Sequence, residues 1–117
     1  MESEKTTEKY LADQVSEMGG FTRKWVSPGH AGVPDRICFF PYGFVMFVET
    51  KSEGKPLSPM QERELIRLGE FGFITAMVDT KTGVDELLKS VAESQLFLKK
   101  LADRGGLTFD MSELGED

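Results

Sequence analysis

Two apolar runs, Arg36 to Phe40 (RICFF) and Phe44 onward (FVMFVETK), are separated only by Pro41, Tyr42 and Gly43. This spacing limits what the chain can become. Turn residues between two β-type runs predict an antiparallel hairpin. From Phe44 to Val48 the second run has no polar side chain, so both faces of that strand are apolar. Such a strand lies inside a sheet with both faces covered. The hairpin therefore needs further strands beside it and helices above and below it.

The rest of the sequence supplies them. Tyr10, Leu11, Gln14, Val15 and Met18 recur at helical spacing and predict a helix over 7–18, with Thr7 as its cap, Glu4 ahead of it and Gly19-Gly20 ending it. Residues 21–26 read as a first strand, followed by the Gly/Pro loop 27–34 (SPGHAGVP). Ser58 with Pro59 starts a helix running to about residue 68. A strand over 73–78 and a last amphipathic helix over 84–101 complete the order α, β, β, β, α, β, α. The expected fold class is α/β, a mixed sheet flanked by helices, as one domain over 1–104. Residues 105–117, Gly-rich and then acidic, read as a flexible tail.

Composition narrows the setting. A chain of 117 residues with 39% hydrophobic content suffices for a single core. No run approaches the ~20 apolar residues of a membrane span, and Met1 to Lys9 lacks the apolar segment of a secretory signal. The single cysteine, Cys38, fits a reducing, intracellular setting and a small core residue. The net charge of −6 argues against a nucleic-acid partner until its distribution is considered. Residues 21–67 carry seven basic and five acidic side chains, whereas 1–20 and 68–117 are net −3 and −5.

The chemistry concentrates in Gly32-Val33-Pro34-Asp35-Arg36, Phe47-Val48-Glu49-Thr50-Lys51 and Gln61. Asp35 lies seven residues before Tyr42 and Glu49 seven after it, so hairpin pairing makes them cross-strand neighbours. Glu49 and Lys51, two apart, project from the same face. Two adjacent carboxylates repel, and one takes up a proton unless a cation lies between them. Mg²⁺ is held by one or two carboxylates plus waters and phosphate oxygens. With a lysine alongside, this set suits metal-assisted hydrolysis of a phosphodiester.

The pattern resembles the PD-(D/E)xK nuclease superfamily, with its restriction-endonuclease-like core. Within it the chain is most similar to the VRR-NUC domains (virus-type replication–repair nucleases), in a stand-alone phage-like form. The resemblance runs over about residues 5–80 and rests on Glu8, Gly19-Gly20, Lys24, Ser27-Pro28-Gly29, the GVPDR and FVETK segments, Leu57-Ser58 and Gln61. It implies Asp35, Glu49 and the main-chain carbonyl of Thr50 as ligands of Mg²⁺ or Mn²⁺. Lys51 would position the attacking water, Gln61 would orient Lys51 or a phosphate, and Glu8 would contact the metal directly or through water. Lys24, Arg36, Arg23 and Lys55 would bind the DNA backbone. The implied activity is a metal-dependent endodeoxyribonuclease acting on branched DNA, Holliday-junction-like or flapped. It would act as a homodimer inside a cell, a bacterial host if phage-encoded, and two copies of the basic segment would double the surface offered to a duplex.

Simpler readings stand beside these. Asp35 is suited to capping a turn, and Glu49 with Lys51 to a solvated strand end. Ser58 and Gln61 form a capping box, a use expected to compete with any role of Gln61 in the site. Glu4 and Glu17 are alternatives to Glu8. His30 is an unexceptional loop residue. Trp25 packs in the core or stacks on a base, and Phe39, Phe40, Phe44 and Met46 belong to the core or a dimer interface. The functional rivals are a non-catalytic DNA- or protein-binding module on the same fold and a carboxylate-pair glycosidase.

Overall fold

The computed structural model describes residues 1–104; the tail expected over 105–117 lies outside the described residues. The element order is α1 (Glu4–Glu17), β1 (Phe21–Lys24), β2 (Arg36–Phe40), a short 3-10 turn (Pro41–Gly43), β3 (Phe44–Thr50), α2 (Pro59–Glu70), β4 (Ile74–Val78) and α3 (Lys81–Asp103). The sheet runs β1-β2-β3-β4. The first two pairings are antiparallel and β3 pairs with β4 in parallel, across the α2 connection. This is the expected mixed α/β sheet with helices on both faces.

Turn chemistry sets the hairpin. Tyr42 (φ 66°) and Gly43 (φ 76°) both adopt left-handed backbone, reversing the chain within three residues. The register that follows pairs Arg36 with Val48 and Phe40 with Phe44, the alignment expected from a pivot at Tyr42. β3 is inside the sheet, and Met46 to Thr50 are buried without a break.

Alternation then divides the side chains between two faces. Cys38, Phe40, Met46, Val48 and Val78 meet Leu11 and Val15 of α1 and Val84, Leu88 and Val91 of α3, which form the main core. Phe44 packs against its margin. The opposite face carries Phe47, in contact with Trp25 (ring centroids 5.3 Å) and Phe73 (5.3 Å), beside α2. Trp25 is thus a packing residue, and Phe40 and Met46 are core. Phe39 stacks on Phe21 at 4.8 Å near the edge strand, where Phe21 is exposed.

Several helix boundaries differ from expectation, and capping explains two. α1 begins at Glu4 because Ser3 is the N-cap, its hydroxyl accepting from the Thr6 N–H. Thr7 is not the cap; it is buried one turn in, on the stripe with Leu11 and Val15. α3 begins at Lys81 because the Thr80 hydroxyl accepts from the Gly83 N–H. β1 ends at Lys24, two residues early, and α2 continues to Glu70.

Met46 is fully buried at the centre of the core. Replacing it with Ala is expected to cost about 2–5 kcal/mol in chemical denaturation, through lost transfer energy and the cavity left behind.

Candidate active site

Asp35 precedes β2 by one residue, and Glu49 and Lys51 sit at the end of β3. The Asp35 N–H donates to Glu49 Oε1 at 3.1 Å. Asp35 Oδ2 accepts from the Thr50 N–H at 3.0 Å and from the Thr50 hydroxyl at 2.7 Å. The Glu49 carboxylate is thus tied to the Asp35 backbone and the Asp35 carboxylate to Thr50, and Asp35 Oδ1 takes none of these bonds. Gln61 reaches in from α2, its Nε2 donating to Glu49 Oε2 at 2.6 Å. Lys51 Nζ lies 3.7 Å from the same oxygen. Glu49 is 2% exposed and Lys51 7%, so the carboxylate and ammonium face each other with little water between them.

Burial of the Glu49 carboxyl, together with the neighbouring Asp35 charge, pushes its pKa up to about 7; Lys51 acts the other way. The Asp35 contribution is the repulsion expected of two adjacent carboxylates. The donor set, two carboxylates offering oxygen ligands, fits a hard divalent ion. The Thr50 carbonyl suits the same role. In an extended strand a residue's N–H and C=O face the same side, and the Thr50 N–H faces Asp35. Among the described residues, no group of three or more His, Cys, Asp or Glu is placed to hold a metal.

The competition expected at Gln61 does not arise. Its Oε1 accepts from the Ser58 N–H at 2.9 Å while the Ser58 hydroxyl accepts from the Gln61 N–H, completing the capping box. The other end of the same amide holds Glu49. One amide has an acceptor and a donor end, and the cap uses only the acceptor.

Two contacts were not readable as functional in advance. The Thr50 hydroxyl on Asp35 is one, and its signal was a hydroxyl residue between the acid and the lysine. Gly32 is the other. It adopts φ +93°, and a Cβ there would lie 2.7 Å from the Met60 carbonyl oxygen. Only glycine lets loop 27–34 lie against the first turn of α2, which carries Gln61 to Glu49. In the same loop, His30 Nε2 contacts Glu64 Oε1 of α2 at 2.5 Å.

Glu8 is not joined to this cluster by hydrogen bonds. Its Oε1 accepts from Arg36 Nε at 2.9 Å and lies 3.8 Å from Lys24 Nζ. Glu8, Lys24 and Arg36 thus form a second group on the α1 side of the sheet end. Glu4, expected ahead of α1, lies in its first turn. Arg23 turns to the other side of β1, its guanidinium 4.7 Å from the Phe21 ring centroid. Lys55 is exposed in the loop before α2.

Between the ordinary value of 4.5 and about 7, folded Glu49 holds a proton that the unfolded chain has released. The metal-free fold is therefore expected to lose stability as pH rises through that window. Thermal melts in EDTA from pH 5 to pH 8 should record the fall, and Glu49→Gln should remove this component of it.

Comparison with known proteins places the chain in a family. The VRR-NUC domain family model matches residues 7–82. "Putative nuclease p44" of Acyrthosiphon pisum secondary endosymbiont phage 1 is 41% identical over 78 residues, covering 67% of this chain and 84% of that protein. A solved "VRR_NUC domain" superposes with a TM-score of 0.72 at 31% identity, over 76% of this chain and 97% of that one. A solved "VRR_NUC domain protein", 13% identical, shares the fold with a TM-score of 0.58 over 74% and 85% of the two chains. The matched span runs from within α1 through β4 and takes in every member of the Asp35–Glu49–Lys51–Gln61 cluster, and on this ground the chain belongs to the VRR-NUC domain family.

Proposed function

We propose that this nuclease-family chain is a Mg²⁺- or Mn²⁺-dependent DNA endonuclease, structure-specific for branched DNA, and that it acts as a homodimer inside the cell. The observation that carries the reading is the grouping of Asp35 and Glu49, joined by the Asp35 N–H donating to the Glu49 carboxylate, with the Lys51 ammonium 3.7 Å from that same carboxylate. Asp35, Glu49 and the Thr50 carbonyl would hold the cation. Bound there, it would polarise the scissile phosphate and lower the pKa of a coordinated water.

The chain's own groups supply the rest. Gln61 fixes the Glu49 carboxylate from α2 and leaves its orientation little freedom. The Thr50 N–H and hydroxyl do the same for Asp35. Lys51, almost excluded from solvent, directs a hydrogen-bonding ammonium at the attacking water or at charge growing on the phosphate. In the overall step a water oxygen joins phosphorus and one P–O ester bond breaks. Membership of Glu8 in the metal set is carried by the family resemblance, since its Oε1 is engaged by Arg36 and Lys24. Lys24, Arg36, Arg23 and Lys55 are the proposed backbone contacts. Two associating copies would bring two such basic segments to one branched substrate, and Phe21, Leu96 and Phe97 are exposed apolar residues available to an interface.

Cleavage of labelled four-way, flapped, single-stranded and duplex DNA tests the reading. Activity is expected with Mg²⁺ or Mn²⁺, highest on branched substrates, and lost in EDTA. Asp35→Asn should lower kcat by at least about a thousandfold, consistent with losing ~4 kcal/mol of transition-state stabilisation, and should retain DNA binding. Undiminished activity in that variant contradicts the assignment. Hydrolysis of a glycoside that survives EDTA favours the glycosidase, and DNA binding without cleavage under any metal favours the non-catalytic module.

A further inference from the structure

The sheet end has two sides. The acid pair, Lys51 and Gln61 lie with α2; Arg36, one residue from Asp35, turns to the α1 side. There a groove of about 520 Å³ is lined by Ser3, Lys5, Thr6, Glu8, Lys9 and Ala12 of the α1 region, with Lys24 and Arg36 from the sheet. Four of these side chains are basic and one is acidic, in a chain whose net charge is −6. We propose that this groove is a phosphate track, which takes the sugar–phosphate backbone of a nucleic-acid strand beside the cleavage site. Lys5 and Lys9 are its outer contacts and Lys24 and Arg36 its inner ones. This rests on the nuclease reading and adds where the substrate runs.

The placement of charge supports it. Glu8 accepts from Arg36 at 2.9 Å and sits 3.8 Å from Lys24, which gathers two cations at the inner end while cancelling only one charge. Lys24 and Lys9 remain 67% and 78% exposed. Lys9 pairs with Asp13 at 2.7 Å, an exposed helical ion pair of the kind that contributes little to stability and exchanges readily for a phosphate. Lys5 and Lys9 are four apart on α1 and share a face. The cations come from a helix and two strands and span a groove larger than one ion requires. No aromatic side chain lines it, so there is no platform for stacking a base, and contact with the backbone rather than with sequence follows. Arg36 adjoins Asp35 in the chain, so the inner end of the groove and the acid pair lie at the same end of the sheet, on its two sides.

The test uses the double variant Lys5→Ala/Lys9→Ala, outside the acid cluster, with Lys99→Ala/Lys100→Ala on α3 as a control of equal charge. Affinity for branched DNA is measured over a salt series, separately from cleavage, on strands with 5′-phosphate or 5′-hydroxyl ends. The groove variant is expected to bind about fivefold more weakly, to flatten the slope of log K against log salt by about 1–2, and to raise KM with kcat unchanged. The control should match wild type, and both strand ends should bind alike. An unchanged slope and affinity in the groove variant, or an equal loss in the control, overturns the track. Binding that depends on a 5′-phosphate overturns a continuous strand there. Wild type that binds DNA without cutting it counts against the nuclease reading alone, because the slope still judges the groove.

Discussion

The pairing of β2 with β3 governs what this chain can do. Tyr42 and Gly43 turn the chain in left-handed backbone, and the register they impose sets Arg36 opposite Val48. Continued by one residue, it brings the Asp35 N–H to the Glu49 carboxylate. Side chains alternate along a strand, so a slip of one residue would send Glu49 and Lys51 to the other face and bring Val48 and Thr50 in their place. Apolar neighbours guard against that slip. Met46 and Val48 fill the core beneath α1 and α3, while Phe47 is held between Trp25 and Phe73.

That same burial produces the chemistry. The strand that best anchors the sheet ends in Glu49, so the acid is carried into a place where its charge is costly, and its pKa rises to about 7. Residues around it then restrict its position: the Asp35 N–H on one oxygen and Gln61 on the other. Gln61 can serve there because the capping box already fixes its side chain at the start of α2. Gly32 allows the loop before Asp35 to press against that same turn of helix. Local stability and site geometry are met by the same residues, and a cation between the acids would relieve the remaining repulsion.

Much of this was legible in the sequence, and the rest was hidden for physical reasons. The hairpin, its register and the Asp35–Glu49–Lys51 grouping follow from turn residues, strand alternation and a doubly apolar run, all of them local rules. The starts of α1 and α3 are hidden because Ser3 and Thr80 cap their helices ahead of the apolar periodicity. At Gln61 the capping motif shows one use of the amide, while its other end finds Glu49 only in the folded chain. Gly32 against Met60, and Glu8 between Arg36 and Lys24, depend on how separate elements meet in space. Lys5 and Lys9 share a face only because α1 starts at Glu4; a helix expected from residue 7 leaves Lys5 outside it.

The central claim is that the Asp35 and Glu49 carboxylates form one cation site. Calorimetric titration of Mg²⁺ or Mn²⁺ into the DNA-free protein measures this without reference to catalysis. One ion per chain is predicted, with proton release below about pH 7 as Glu49 ionises on binding, and with the heat abolished in both Asp35→Asn and Glu49→Gln. Equal binding in wild type and the two variants would contradict it.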